Sequence, residues 1–248
     1  MAPKVSTVVR RLVFPKRRVC IVRCLHDSTP PSSGQPDVGS LAVGIMPARL
    51  SQEVGHIMPE PQAYLDQLQH LLKELEVKQV ERLVELLAEC WRNDRRVFLI
   101  GNGGSSATAS HIVNDLQKCI QLETGKALKA MCLSDCTPLI MAWANDTEYS
   151  NVFAPQIECW GEPGDLLIAI SGSGNSANIL RAAAAAQSRG VHVFGMAGFM
   201  GGELALTADE CLVVPSTNMQ QIEDVHMIIL HMAFSAMRDR VKAEPRQS

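Results

Sequence analysis

From Pro61 onward the apolar positions recur at helical spacing, Leu65, Leu68, Leu72 and Leu75 first, then Val80, Leu83, Val84, Leu87 and Trp91. That pattern predicts two amphipathic helices ahead of any strand. Beyond them the chain breaks into short apolar runs, and strands are predicted at 97–100, 130–133, 165–170, 191–196 and 211–214. Between and after these lie predicted helices at 105–120, 137–144, 177–188, 202–206 and 218–240. Strand and helix in alternation build a parallel sheet with helices on both faces. The run Leu166-Leu167-Ile168-Ala169-Ile170 has no polar alternation, which agrees with a strand buried on both sides. The fold class predicted is therefore α/β, a three-layer αβα domain around a five-stranded parallel sheet with an N-terminal helical pair.

In such sheets ligands bind beyond the carboxyl ends of the strands, and two loops at those ends are alike. Val97-Phe98-Leu99-Ile100 runs into Gly101-Asn102-Gly103-Gly104-Ser105-Ser106, and Leu166 to Ile170 runs into Ser171-Gly172-Ser173-Gly174-Asn175-Ser176. Glycine lets a backbone turn tightly and approach an anion closely, and the helix that follows turns its free N–H groups and positive dipole end toward it. Asn102, Ser105 and Ser106 are expected to supply side-chain donors and to cap that helix. Two such turns can grip one phosphate from both sides. Neither is a Walker loop, since no Gly-Lys-Ser/Thr follows, and Ser106 stands where a dinucleotide fingerprint needs its last glycine. No nucleotide cofactor is expected. Four residues apart on the first of these helices, His111 and Asp115 share one face and offer an imidazole and a carboxylate.

Charge divides the chain unequally. Residues 1–57 hold eight Lys/Arg and three Asp/Glu, leaving fifteen against twenty-three for the remainder. An acidic main domain argues against direct nucleic-acid binding, because a phosphate backbone demands a positive face. The first 57 residues are basic, have no acid before Asp27, and read as a disordered extension of transit-peptide type or as sequence upstream of a misassigned start. The expected folded unit is 58–242, with a tail at 243–248. No apolar run reaches the roughly twenty residues that span a bilayer, so no membrane partner is expected and the location is taken as cytoplasmic, or organellar if 1–57 is a genuine transit peptide. The eight cysteines lack paired metal-knuckle spacing and are read as reduced, with Cys132 and Cys211 as small core residues and Cys136, after a strand end, as the one with reactive potential.

Taken together, Gly101-Asn102-Gly103-Gly104-Ser105, His111 with a carboxylate four residues on, Asn145-Asp146, Gly164-Asp165, Ser171-x-Ser173-Gly174-Asn175-Ser176 and Ile222-x-x-x-His226 resemble the sugar isomerase (SIS) domain, in its phosphoheptose isomerase branch. The resemblance extends over nearly everything after Met58. It implies isomerisation of sedoheptulose 7-phosphate to glycero-manno-heptose 7-phosphate, with a phosphorylated sugar as partner and a homotetramer or homodimer as the assembly. By that resemblance Asn102, Gly103, Gly104, Ser105, Asp135, Ser171, Gly172, Ser173, Ser176 and Glu223 bind substrate. It makes Asp115 the catalytic carboxylate and His231 the catalytic imidazole. It further implies a metal site at His111, Asp115, Glu223 and His231, for which mixed nitrogen and oxygen ligands favour zinc. The chain departs from the branch at Asp115, where glutamate is usual, at Glu223, where glutamine is usual, and at Gly172, where threonine is usual. The same fold serves a replication-initiator-associating protein, so a non-catalytic sugar-phosphate-binding regulator is the second reading.

The chemistry gives those positions a reason of their own. Aldose–ketose isomerisation moves a proton between neighbouring carbons through an enediol, which asks for a carboxylate base and an acid at the carbonyl oxygen. Aspartate in place of glutamate shifts the carboxylate by about 1.5 Å, one carbon–carbon bond, unless the backbone compensates. Glu223 and His231 lie eight residues apart, about 12 Å of helical rise, which strains a single shared ion. His226, amid Met227, Ile228, Ile229 and Leu230, reads equally as a core histidine or a substrate contact; His70 and His192 read as structural. Trp143 and Trp160 are expected to pack, and the methionines of the last helix, with the N-terminal helical pair, to face another subunit.

Overall fold

The computed structural model describes residues 60–244, which form a five-stranded parallel sheet between two layers of helices. Two helices come first, α1 (Pro61–Lys73) and α2 (Val77–Arg92). Helix α2 buries Val80, Leu83, Val84, Leu87 and Trp91, the stripe its spacing predicts. Helix α1 buries only Leu71; of its own stripe, Leu68 and Leu72 pack at the rim while Leu65 stays half exposed. The sheet comprises β1 (Arg96–Ile100), β2 (Lys129–Cys132), β3 (Leu166–Ser171), β4 (His192–Ala197) and β5 (Glu210–Val213), in the order β2-β1-β3-β4-β5. Central β3 is buried at every position, pairing Val97 with Leu166 on one side and Leu166 with His192 on the other.

Alternate residues of each strand feed two separate cores. Val97, Leu99, Leu166, Ile168 and Ile170 join α2, α3 (Gly103–Asn114) and α9 (Met219–Lys242) on one face. Phe98, Ile100, Leu167 and Ala169 join α6 (Ala154–Trp160) and α7 (Ala177–Ser188) on the other. The helix after β1 therefore crosses to one face and the helix after β3 to the opposite face, although the two strands are neighbours. That divergence opens a crevice at the carboxyl ends of β1 and β3, where both predicted loops lie.

Three local departures from the predicted elements have clear causes. The helix expected over 105–120 begins two residues early, at Gly103, and gives way to a π-helical turn, Asp115–Cys119, before α4 (Ile120–Thr124). Such widened turns carry one extra residue per loop and leave no signature in periodicity. Between α5 (Thr137–Asp146) and β3, the short α6 was not predicted: seven residues are too few for a period, and Pro155 sits in its first turn, where proline is tolerated. Apolar α5 buries none of its residues; Ile140 and Trp143 pack against the second core, while Leu139 and Met141 remain exposed. The remaining helix, α8 (Gly202–Thr207), matches the predicted 202–206 to within a residue. The expected extension at 1–57 lies outside the described residues, as does the tail apart from Ala243 and Glu244; the latter pairs with Arg92 at 2.7 Å.

Candidate active site

The loops after β1 and β3 and the start of α9 enclose a cleft of about 300 Å³. Asn102, Gly103, Gly104, Ser105, Ser171, Gly172, Ser173, Ser176 and Glu223 line it, nine of the ten residues expected to bind substrate. The first backbone hydrogen bond of α3 runs from Ser106 N–H to Asn102 C=O at 3.3 Å, leaving the N–H groups before it without helical acceptors. Ser171 donates its hydroxyl to Ser176 across the second loop at 3.3 Å. Gly174 turns that loop at φ +68°, and an added Cβ there would collide with the carbonyl of Gly201. Gly172 faces Met219 so closely that a Cβ would stand 2.5 Å from its sulfur. The cleft thus holds hydroxyls and free N–H donors, and its lining includes no lysine or arginine.

Asn102 sits at the N-cap position of α3 but does not cap it. Its amide is turned instead to Asn178 in a reciprocal pair, at 3.0 and 2.8 Å, and its Oδ1 also accepts from the Tyr149 hydroxyl at 2.9 Å. Asn178 and Tyr149 were missed in the sequence because each lies outside both glycine loops, in a helix and a 3-10 turn that only the fold brings to Asn102. Asp135, the tenth expected substrate residue, is exposed after β2 and does not line the cleft. Its neighbour Ser134 meets Ser106 of α3 at 2.6 Å, so Asp135 shares the same end of the sheet.

Helices α3 and α9 both start at the cleft, where Glu223 touches Gly104, and meet again two turns further on. There the Nε2 atoms of His111 and His231 stand 3.0 Å apart, and Asp115 Oδ2 lies 4.0 Å from the first and 3.8 Å from the second. The two rings meet edge to face. Asp115 is mostly covered while both imidazoles are about half exposed. Asn114 Nδ2 and the Cys119 thiol both donate to Asp115 Oδ1, which leaves Oδ2 for the histidines. Of the four ligands expected, these three converge, and Glu223 stands apart in the cleft. A point equidistant from the three atoms lies about 2.1 Å from each, the length of a zinc–nitrogen bond, so the donor set and its spacing fit a zinc ion.

The other conspicuous side chains have structural settings. His226 is buried, donates from Nε2 to the Ala197 carbonyl at 3.1 Å, and is held down to a pKa of about 4 by desolvation. His192 lies against Glu210 and His70 against Glu74. Burial raises the thiols of Cys132 and Cys211, the latter to about 12, as expected of core cysteines. Trp143 packs as expected, whereas Trp160 is half exposed. Among the described residues no helix is long and apolar enough to cross a membrane.

A doubly wound sheet with paired hydroxyl-rich loops at its switch point, flanked by a carboxylate and two imidazoles, defines an α/β domain with a candidate anion-binding cleft. The SIS domain family matches residues 63–198, and the chain belongs to that family, in its phosphoheptose isomerase branch. A phosphoheptose isomerase of Thiobacillus denitrificans is 35% identical over 187 residues, covering 74% of this chain and 92% of that protein. The structure of phosphoheptose isomerase GmhA from Neisseria gonorrhoeae superposes with a TM-score of 0.67 at 32% identity, over 72% of this chain and 96% of that one. A phosphoheptose isomerase from Francisella tularensis superposes with a TM-score of 0.68 at 28% identity, over the same shares.

Proposed function

We propose that the protein is an aldose–ketose isomerase that interconverts sedoheptulose 7-phosphate and glycero-manno-heptose 7-phosphate. The observation that carries this reading is the spacing of an anion cradle and a His–Asp–His cluster along the same two helices. From Gly104 to His111 the axial rise is about 10 Å, and from Glu223 to His231 about 12 Å. The His111 side chain leans toward the N-terminus of α3, which shortens the first of these spans. An extended seven-carbon phosphate measures about 9 Å from its carbonyl carbon C2 to phosphorus, and a five-carbon one about 6.5 Å, from single-bond lengths near 1.5 Å. The longer sugar bridges cradle and cluster.

In this reading Ser105, Ser171, Ser173 and Ser176, with the free N–H groups of α3, hold the phosphate. Asp115 Oδ2 removes the proton from one carbon and returns it to its neighbour. His231 Nε2 gives a proton to the carbonyl oxygen and recovers one from the adjacent hydroxyl. Asn114 and Cys119 keep the carboxylate aimed, and Asn102, held by Asn178 and Tyr149, faces the sugar. Alternatively, His111, Asp115 and His231 would hold zinc through the same atoms in place of their proton transfer, and the ion would supply Lewis-acid stabilisation of negative charge on oxygen. The assembly proposed is a homotetramer or homodimer in which a second copy covers Leu139 and Met141 of α5.

The test is NMR observation of isomer formation from sedoheptulose 7-phosphate by the purified protein. Asp115→Asn and His231→Ala should each lower kcat/KM by at least about a hundredfold, the usual worth of a general acid or base, with the fold and sugar-phosphate binding retained. Normal turnover by both variants would remove the assigned roles. Stabilisation of the native protein by the sugar without turnover would favour a regulator.

A further inference from the structure

Glu223 is the one ionisable residue in the lining of the cleft, and among the described residues its side chain makes no hydrogen bond or ion pair. Its carboxylate lies flat against Gly104, where an added Cβ would stand 2.6 Å from Oε1 and 2.7 Å from Oε2. The acid therefore fills the space a side chain would take at the second residue of α3. There the N–H groups of Gly103, Gly104 and Ser105 have no helical acceptor and the helix dipole is positive. A negative group resting on that turn lies where an anion gains most.

The geometry points to Glu223 as the residue that sets the affinity of the cleft for phosphate esters: it is an internal anion that rests on the α3 N-terminus until the ligand's phosphate displaces it. This rests on the reading of the cleft as the phosphate site. With no lysine or arginine in the lining, no cationic side chain there offsets the repulsion between a carboxylate and a dianionic phosphate. Ligand binding therefore requires Glu223 to swing away from Gly104, which α9 permits because the side chain has three rotatable bonds and is only half buried. The device weakens capture of phosphate at its resting state and speeds release of the product, since the returning carboxylate occupies the same turn and repels the phosphate from it.

The test compares wild type, Glu223→Gln and Glu223→Ala by calorimetric titration with sedoheptulose 7-phosphate and, separately, with inorganic phosphate. Both variants should bind each probe about tenfold more tightly than wild type. In turnover KM should fall by a similar factor. Tightening by Glu223→Gln alone would mean that a new amide donor, and not the lost charge, is responsible, and would overturn the proposal. Equal or weaker binding by both variants would overturn it too, while leaving the phosphate site itself intact. Failure of all three proteins to bind either probe would instead remove the phosphate-site reading, and this proposal with it. Unchanged melting temperature in either variant shows that the comparison is made between folded proteins.

Discussion

Protonation of His226 should destabilise the fold by an amount that can be worked out from its setting. The imidazole is 1% exposed and donates from Nε2 to the Ala197 carbonyl, so Nδ1 carries no proton and has no partner among the described residues. Charging it would place an extra proton on Nδ1 with nothing to accept it, and desolvation lowers its pKa from 6.5 to about 4. Between those values the unfolded chain binds the proton and the folded chain does not. The His226 contribution to stability is therefore full above about pH 6.5, falls as the pH drops below it, and is fully lost below about pH 4. A shift of about 2.5 units corresponds to about 3 kcal/mol, a large fraction of the stability of a domain. The assay is urea denaturation from pH 7.5 to 4, at fixed protomer concentration, for wild type and His226→Gln. Glutamine can still donate to Ala197 but cannot titrate. The stability difference should move by about 3 kcal/mol in favour of the variant across that range. Parallel curves would refute the reasoning. Because His226 fastens α9 to the end of β4 between Glu223 and His231, acid should loosen the cleft and the His–Asp–His cluster together.

Two further changes test the scaffold. Gly174→Ala combines a left-handed backbone, about 1–2 kcal/mol for an L residue, with a collision against the Gly201 backbone, so thermal melting should reveal a loss of at least about 3 kcal/mol. A melting temperature within a degree of wild type would show that the loop relaxes freely. Met141→Asp, on the unburied face of α5, should leave the protomer folded but shift sedimentation velocity toward smaller species. An unchanged sedimentation profile would place the interface elsewhere.

Much of the site was readable before the fold because its donors are contiguous. Two glycine- and serine-rich loops each follow an apolar run, and their residues reach the cleft together since the backbone that carries them is the backbone that turns. Asn178 and Tyr149 were illegible for the opposite reason: their bonds to Asn102 span 76 and 47 residues, and nothing local in either segment marks a contact. The π-helical turn at Asp115 is similarly silent, yet its Cys119 helps to hold the carboxylate. Helical arithmetic did anticipate that Glu223 and His231 would strain to share one ion, and the two lie in separate places, one in the cleft and one in the cluster.

Local patterning by itself determined the alternation of strands and helices, the parallel sheet, the two-sided burial of β3 and the loops that form the cradle. All of these follow from which residues are apolar and where the backbone can turn, properties written within a few positions of one another. Only the tertiary structure decided the strand order, which sends α3 and α7 to opposite faces and so opens the crevice between neighbouring strands. It also decided that α3 and α9 run side by side, bringing His111 to His231 across 120 residues and resting Glu223 on Gly104. The physical reason is that packing is settled by the burial of whole faces, and the chemistry of a cleft belongs to whichever side chains that burial leaves at its mouth.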